Sequence, residues 1–198
     1  MLLEADGISF RYNKNSWILD NVHLKLHAGE VLGLSGPSGC GKTTLAQILA
    51  GYKRPHRGQV KLNGKPLPTK GYNPVQLVWQ HPEKAVNPRW QMKKVLNERG
   101  PIDEELMKAL GIEPDWLNRW PNELSGGELQ RFCLARALGP ETRFLIADEI
   151  TTMLDPITQA QIWQVILQQV EKRKLGVLVI SHEQPLLSRL CSRIITIA

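Results

Sequence analysis

What the sequence lacks narrows it first. No apolar run approaches the roughly 20 residues that a membrane-spanning helix needs, and stretches such as Gly176-Val177-Leu178-Val179-Ile180 are short. Met1-Leu2-Leu3-Glu4-Ala5-Asp6 has neither the basic flank nor the apolar core of a secretion signal, which predicts a soluble chain that stays inside the cell. Cysteine is scarce. The three thiols, at positions 40, 133 and 191, are odd in number and widely spaced, which excludes a disulfide framework and a cysteine-based zinc or iron–sulfur site. No internal repeat or low-complexity tract is visible.

What is present is ordinary globular material: 198 residues, 42% apolar and 22% charged, enough for one domain. Twenty-five Lys and Arg against nineteen Asp and Glu leave a charge of +6, which favours polyanions such as nucleotides. The basic residues are scattered. Their one tight run, Lys172-Arg173-Lys174, falls at the end of a predicted helix, where cations offset the helix dipole.

Residues 22–27 alternate apolar and polar, as a strand with one buried face does. His23, Lys25 and His27 then share a solvated outer face, with no third ligand near enough to make the histidines a metal site. Residues 59–62 followed by Asn63-Gly64 predict a strand entering a hairpin turn, so the N-terminal part reads as an antiparallel β patch. Residues 31–34, 75–79, 144–147 and 177–180 read as strands buried on both faces. Helical spacing at Leu45, Ile48 and Leu49 ends near Gly51, and Asp155-Pro156 opens a second helix that runs to about Lys174. Strands alternating with helices predict an α/β fold with a mainly parallel sheet. Residues 86–129 show only short helical patterns and read as a small helical subdomain, with 1–85 and 130–198 forming the core of a single domain.

Two local patterns carry chemistry. Gly36-Pro37-Ser38-Gly39-Cys40-Gly41-Lys42-Thr43 fits G-x-x-x-x-G-K-[ST], with an apolar strand before it and an amphipathic helix after it. Glycines let backbone N–H groups converge on phosphate oxygens, and the helix N-terminus adds partial positive charge. Gly36, Ser38, Gly39, Cys40, Gly41, Lys42, Thr43 and Thr44 are therefore the expected phosphate cradle, with Lys42 on the β- and γ-phosphates and the Thr43 hydroxyl on Mg²⁺. The second pattern, residues 144–149, ends a buried strand in Asp148-Glu149. Ligands of open α/β sheets sit at that end of a strand, so Asp148 is expected to hold Mg²⁺ through its water shell and Glu149 to orient or deprotonate an attacking water.

Leu124-Ser125-Gly126-Gly127-Glu128-Leu129-Gln130-Arg131 stands just before a helical stretch. A capping box explains Ser125 and Glu128, but not two consecutive glycines. The segment closely resembles the LSGGQ-type signature of ATP-binding cassette (ABC) ATPases. That resemblance implies a P-loop NTPase (RecA-like) core and the ABC ATPase fold. It also implies that Ser125, Gly126, Gly127 and Glu128 meet ATP held by an opposite subunit. Further motifs match in family order. Gln80 resembles the Q-loop glutamine that senses Mg²⁺ and water, Leu154-Asp155 the D-loop at the dimer interface, and Ser181-His182 the switch histidine on the γ-phosphate. Tyr12 resembles the aromatic residue that stacks on adenine, with Trp17 a competing ring.

Gln80-His81-Pro82, Val86-Asn87-Pro88-Arg89 and the stretch from Asp148-Glu149 through Thr158-Gln159-Ala160-Gln161 look like the oligopeptide/nickel-type importer ATPases within this family. The resemblance implies an ATPase with ATP and Mg²⁺ as cofactors and a second ABC ATPase subunit, identical or homologous, as partner. Integral membrane permease subunits, and indirectly a solute-binding protein, complete the expected set; no nucleic acid is expected. The chain would lie in the cytoplasm, peripheral on the inner face of the membrane, with Trp90 a surface aromatic toward the permease. Ile150, where the family usually has Pro, and Met153, where it usually has Ala, are expected to alter dimer packing. Many relatives continue past the point where this chain stops, at Ala198, so a minimal subunit and a truncated one both fit. The competing class is the ABC-type ATPases that act on nucleic acid, to which the positive charge lends weight. Against it, only 43 residues separate Gln80 from Leu124, too few for the coiled coil that splits such heads.

Overall fold

The computed structural model describes residues 1–14, 16–98, 100 and 103–197. Its strands are β1 (Leu2–Phe10), β2 (Leu19–His27), β3 (Val31–Ser35), β4 (Arg57–Leu62), β5 (Lys65–Pro66), β6 (Val75–Val78), β7 (Phe144–Asp148), β8 (Gly176–Ile180) and β9 (Arg193–Thr196). Its helices are α1 (Lys42–Leu49), α2 (Met92–Leu96), α3 (Glu104–Ala109), α4 (Gly126–Ala137), α5 (Pro156–Arg173) and α6 (Gln184–Leu190), with 3-10 turns at Pro82–Lys84, Pro114–Asn118 and Pro121–Glu123.

Two sheets form. The antiparallel one has the order β2-β1-β4-β5, and the other, β6-β7-β8-β3-β9, is parallel at every pairing. The antiparallel patch is thus a separate layer and not an edge of the parallel sheet. In β2, Leu24 and Leu26 are buried while Lys25 and His27 face out, as the alternation requires. On the same outer face the Gly7 amide donates to His23 Nδ1 at 3.3 Å, which fixes that ring in the sheet surface. β4 turns into β5 through Asn63 and Gly64, both at positive φ (51° and 76°), the combination a type I′ hairpin needs.

Side chains of the parallel strands alternate between two cores, which is why these segments read as continuous apolar runs. Leu32, Leu34, Phe144, Ile146, Leu178 and Ile180 pack toward α1 and the antiparallel sheet. Val31, Leu145, Ala147, Val177 and Val179 pack against α4 and α5 on the opposite face. That second core continues through Val86, Met92, Val95, Leu106 and Leu110 of the helical stretch, in which no strand occurs among the described residues.

Asp155 caps α5 as its sequence predicts, accepting from the amides of Ile157 and Thr158 at 3.0 Å each. The basic run lies at the far end of α5 as expected, with Lys172 and Arg173 in its last turn, and one of its members also serves a neighbouring helix. Arg173 donates to the carbonyls of Leu138 and Gly139, so it caps α4. Burial, with Arg143 nearby, pulls its pKa down from the ordinary arginine value. Two strand ends also differ from expectation: β6 stops at Val78, releasing Trp79 to the loop, and β7 extends through Asp148. No helix among the described residues is long and apolar enough to cross a membrane.

Candidate active site at the carboxyl edge of the parallel sheet

Parallel pairing brings the carboxyl ends of β6, β7, β8 and β3 to one edge, where open α/β sheets hold ligands. In that order the edge carries Gln80, Asp148-Glu149, Ser181-His182 and the loop 36–41. Residues more than a hundred positions apart are thereby made neighbours.

The loop can only be built with glycine at its ends. A Cβ on Gly36 would lie 2.3 Å from the Ile197 carbonyl, and Gly41, at φ 100°, would put one 2.8 Å from the Leu19 side chain. Gly41 is also the N-cap of α1, whose first turn has neither a side-chain cap nor an acidic residue. Its free N–H groups and the dipole of the helix are left for an anion. Lys42 is buried, and its ammonium donates to the carbonyls of Gly36 and Pro37 at 2.8 and 2.9 Å, holding the charge at the mouth of the loop.

Asp148 is buried at the end of β7. Burial holds its carboxyl above the ordinary aspartate range; the Thr43 hydroxyl bond opposes this, the Glu149 charge adds to it, and Lys42 and His182 oppose it further. The Thr43 and Asp148 oxygens, already in contact, are the donors a hard divalent cation takes. Glu149 has a left-handed backbone, φ 51°, and its amide donates to the Ile180 carbonyl at 3.0 Å. Such a conformation costs a glutamate about 1–3 kcal/mol, a strain that clusters at functional sites. Its Oε1 lies 2.6 Å from His182 Nε2, so residues from two adjacent strand ends share one contact.

Tyr12 and Trp17 are told apart by their surroundings. The Tyr12 ring is 62% exposed and its hydroxyl shares a hydrogen bond with Thr44 Oγ1 at 3.0 Å, which stands it over the start of α1. The faces of Trp17 are occupied by the guanidinium groups of Arg11 and Arg57, 4.7 and 5.0 Å from its centroid. Lys53, not anticipated from sequence, lies 5.2 Å from the Tyr12 ring centroid. Only the fold, which sets the end of α1 beside β1, brings it there. Gln184 was likewise missed; its amide donates to Ser35 Oγ at 2.8 Å and ties α6 to the base of the loop.

The signature residues lie at the start of α4, and their polar groups turn to each other. Glu128 N donates to Ser125 Oγ at 3.2 Å, and Ser125 N donates to the Glu128 carboxylate at 2.7 Å. A Cβ on Gly127 would meet the Leu154 side chain at 3.0 Å, so the D-loop segment packs on this helix within the chain. Ile150 is buried in the core and so presents nothing to a partner, whereas Met153 is 72% exposed beside Asp155. Trp90 is half-buried against the core, with the Lys94 ammonium 4.4 Å from its centroid.

The family described as ABC transporter matches residues 19–152, a span that includes the loop, Gln80, the signature and the acidic pair. The chain belongs to the ABC transporter family. It is 34% identical to the nickel import ATP-binding protein NikE of Shigella sonnei (strain Ss046), over 98% of this chain and 82% of that one. It has the same identity to the nickel import system ATP-binding protein NikE of Staphylococcus aureus (strain bovine RF122 / ET3-1), over 99% and 86%. Among solved structures, the dimeric bacterial ABC transporter cassette MJ0796 superposes with a TM-score of 0.85 at 25% identity, covering 98% of this chain and 94% of that one. The same cassette in a dimeric post-hydrolysis state bound to ADP and Pi gives 0.84. ATP is therefore the nucleotide that this ABC cassette binds.

Proposed function

We propose that the chain is the ATP-hydrolysing subunit of an importer for nickel, a metal–chelator complex or a peptide, and that it works as a head-to-tail pair with a second ABC ATPase subunit. The observation that carries this is the contact between Glu149 and His182 at the sheet edge, beside Lys42, Thr43 and Asp148. In this reading the loop 36–44 binds the triphosphate, and Tyr12 stacks on adenine. Asp148, Thr43 and Gln80 hold Mg²⁺, which supplies charge neutralisation on the phosphates. Glu149 accepts the proton of the attacking water while His182 holds that carboxylate in place.

Ser125 and Gly127 of each subunit complete the nucleotide site of the other, with Asp155 at the interface between them. ATP then favours the closed pair over the open one, and its cleavage removes that preference. The segment around Gln80 and the helical insertion around 87–98 face the permease subunits, which place the chain on the inner surface of the membrane. The names of the nickel import relatives support the choice of cargo.

Glu149→Gln tests the reading. ATP binding is retained, turnover falls about 10²- to 10⁴-fold, and Mg-ATP shifts the variant to a pair in size-exclusion chromatography with light scattering. Cells carrying it in place of the wild type lose uptake of radioactive nickel. Turnover near wild type would remove Glu149 as the base.

A further inference from the structure

Three side chains on one face of α4 hold the chain that leaves β6. Gln130 donates its amide to the Trp79 carbonyl at 3.2 Å, and Arg136 its guanidinium to the Ala85 carbonyl at 2.7 Å. Between them the Cys133 thiol reaches toward the Pro82 carbonyl at 3.8 Å. Each rung joins residues 51 positions apart, so the register is constant along the ladder. The geometry explains the regularity. Residues three apart are neighbours on an α-helix, and the facing segment contains the 3-10 turn Pro82–Lys84, whose carbonyls repeat every three residues. Three residues advance about 4.5 Å in one helix type and about 6 Å in the other, so successive rungs stay within reach.

Stability does not account for the choice of side chain. Gln130 is 1% exposed and its Oε1 is buried without a partner, a cost that an apolar side chain of the same size would avoid, offsetting the bond such a side chain would take from the Trp79 carbonyl. What glutamine adds is the bond to Trp79. Burial pushes the Cys133 thiol up to about 11, which keeps its S–H available as a donor.

The Gln130–Trp79 rung stands at the end of the ladder where the signature, one turn earlier on α4, and Gln80, the residue after Trp79, come together. We infer that Gln130, Cys133 and Arg136 lock segment 79–85 to the signature helix, so that Gln80 and Ser125–Gly127 move as one body. Gln130 is thus a positioning residue for Gln80. The inference rests on the roles proposed above for Gln80 and the signature, and it adds a route between the two nucleotides of the pair. Engagement of the partner's ATP by α4 adjusts Gln80 at the chain's own ATP.

Gln130→Met tests it, measured on the protein as it purifies with the subunits that accompany it. The kcat for ATP hydrolysis falls about tenfold, the scale seen when a supporting bond behind a ligand is lost. KM for ATP stays within about twofold and the melting temperature is unchanged, because only the aligned state is affected. In a Gln80→Ala background Gln130→Met lowers kcat no further, the non-additivity expected of residues that act through one another. Wild-type turnover, or a loss that adds in full to that of Gln80→Ala, overturns the link. Arg136→Lys, which keeps its charge toward Glu98 but shortens the reach to Ala85, gives the same split and covers a Gln130→Met protein that does not fold. A Gln80→Ala protein with full activity is a different result: it overturns the role of Gln80 itself.

Discussion

Asp148 is a carboxylate placed where water would normally be needed to keep it charged. Its folded pKa lies above the unfolded value near 3.8, so the folded chain binds the extra proton. The stability this provides is complete below the unfolded value and is lost as pH rises through the folded one. At neutral pH the protein therefore carries an ionised group whose burial is only partly offset by Thr43, Lys42 and His182. Asp148→Asn raises the melting temperature at neutral pH by about 2–4 °C, the shift that ~1 kcal/mol gives in a chain of this size. The gap to wild type narrows as the pH is lowered, and differential scanning calorimetry across pH reads both effects.

Residues such as Lys42 and Asp148 were legible because short local patterns carry them. The choice between Tyr12 and Trp17 was not, since it depends on Arg57 and Lys53 arriving from beyond α1. Gln130 was invisible for a similar reason. In a sequence it looks like a surface residue, and only the approach of segment 79–85 makes it a buried donor.

Among the elements, α4 is asked to do two things at its first turn. The Ser125–Glu128 capping box satisfies the helix start, and the same serine is proposed to face the partner's phosphate. Two substitutions separate these duties. Ser125→Ala removes the cap and costs about 1 kcal/mol of stability, seen as a lower melting temperature. Ser125→Asp keeps a capping oxygen and the fold, but sets a negative charge against the phosphate and abolishes ATP-driven pairing in the Glu149→Gln background.

Helix starts such as Asp155-Pro156 were readable because a cap is a local, short-range device. Strand ends were less so. Whether β6 includes Trp79, or β7 includes Asp148, is decided by what each strand pairs with, and pairing partners lie far away in sequence.

Across the whole molecule, the sequence revealed an antiparallel patch and a mainly parallel sheet but not that they face a shared core as separate layers. That division follows from β1 pairing with β4 across more than forty intervening residues. The helical stretch, expected as a small subdomain within the single domain, is continuous with the rest of it: its apolar side chains join the core beneath the parallel sheet. A rotation of that stretch against the sheet would have to slide within a continuous apolar layer.

β7 and β8 stand inside the five-stranded sheet, and every residue of both is buried. Their amides will be the last to exchange hydrogen for deuterium, with protection approaching that of global unfolding, while peptides covering the N-terminal sheet label sooner in mass spectrometry. The acidic pair is therefore rooted in the part of the molecule that breathes least, and what moves during a cycle must move around it.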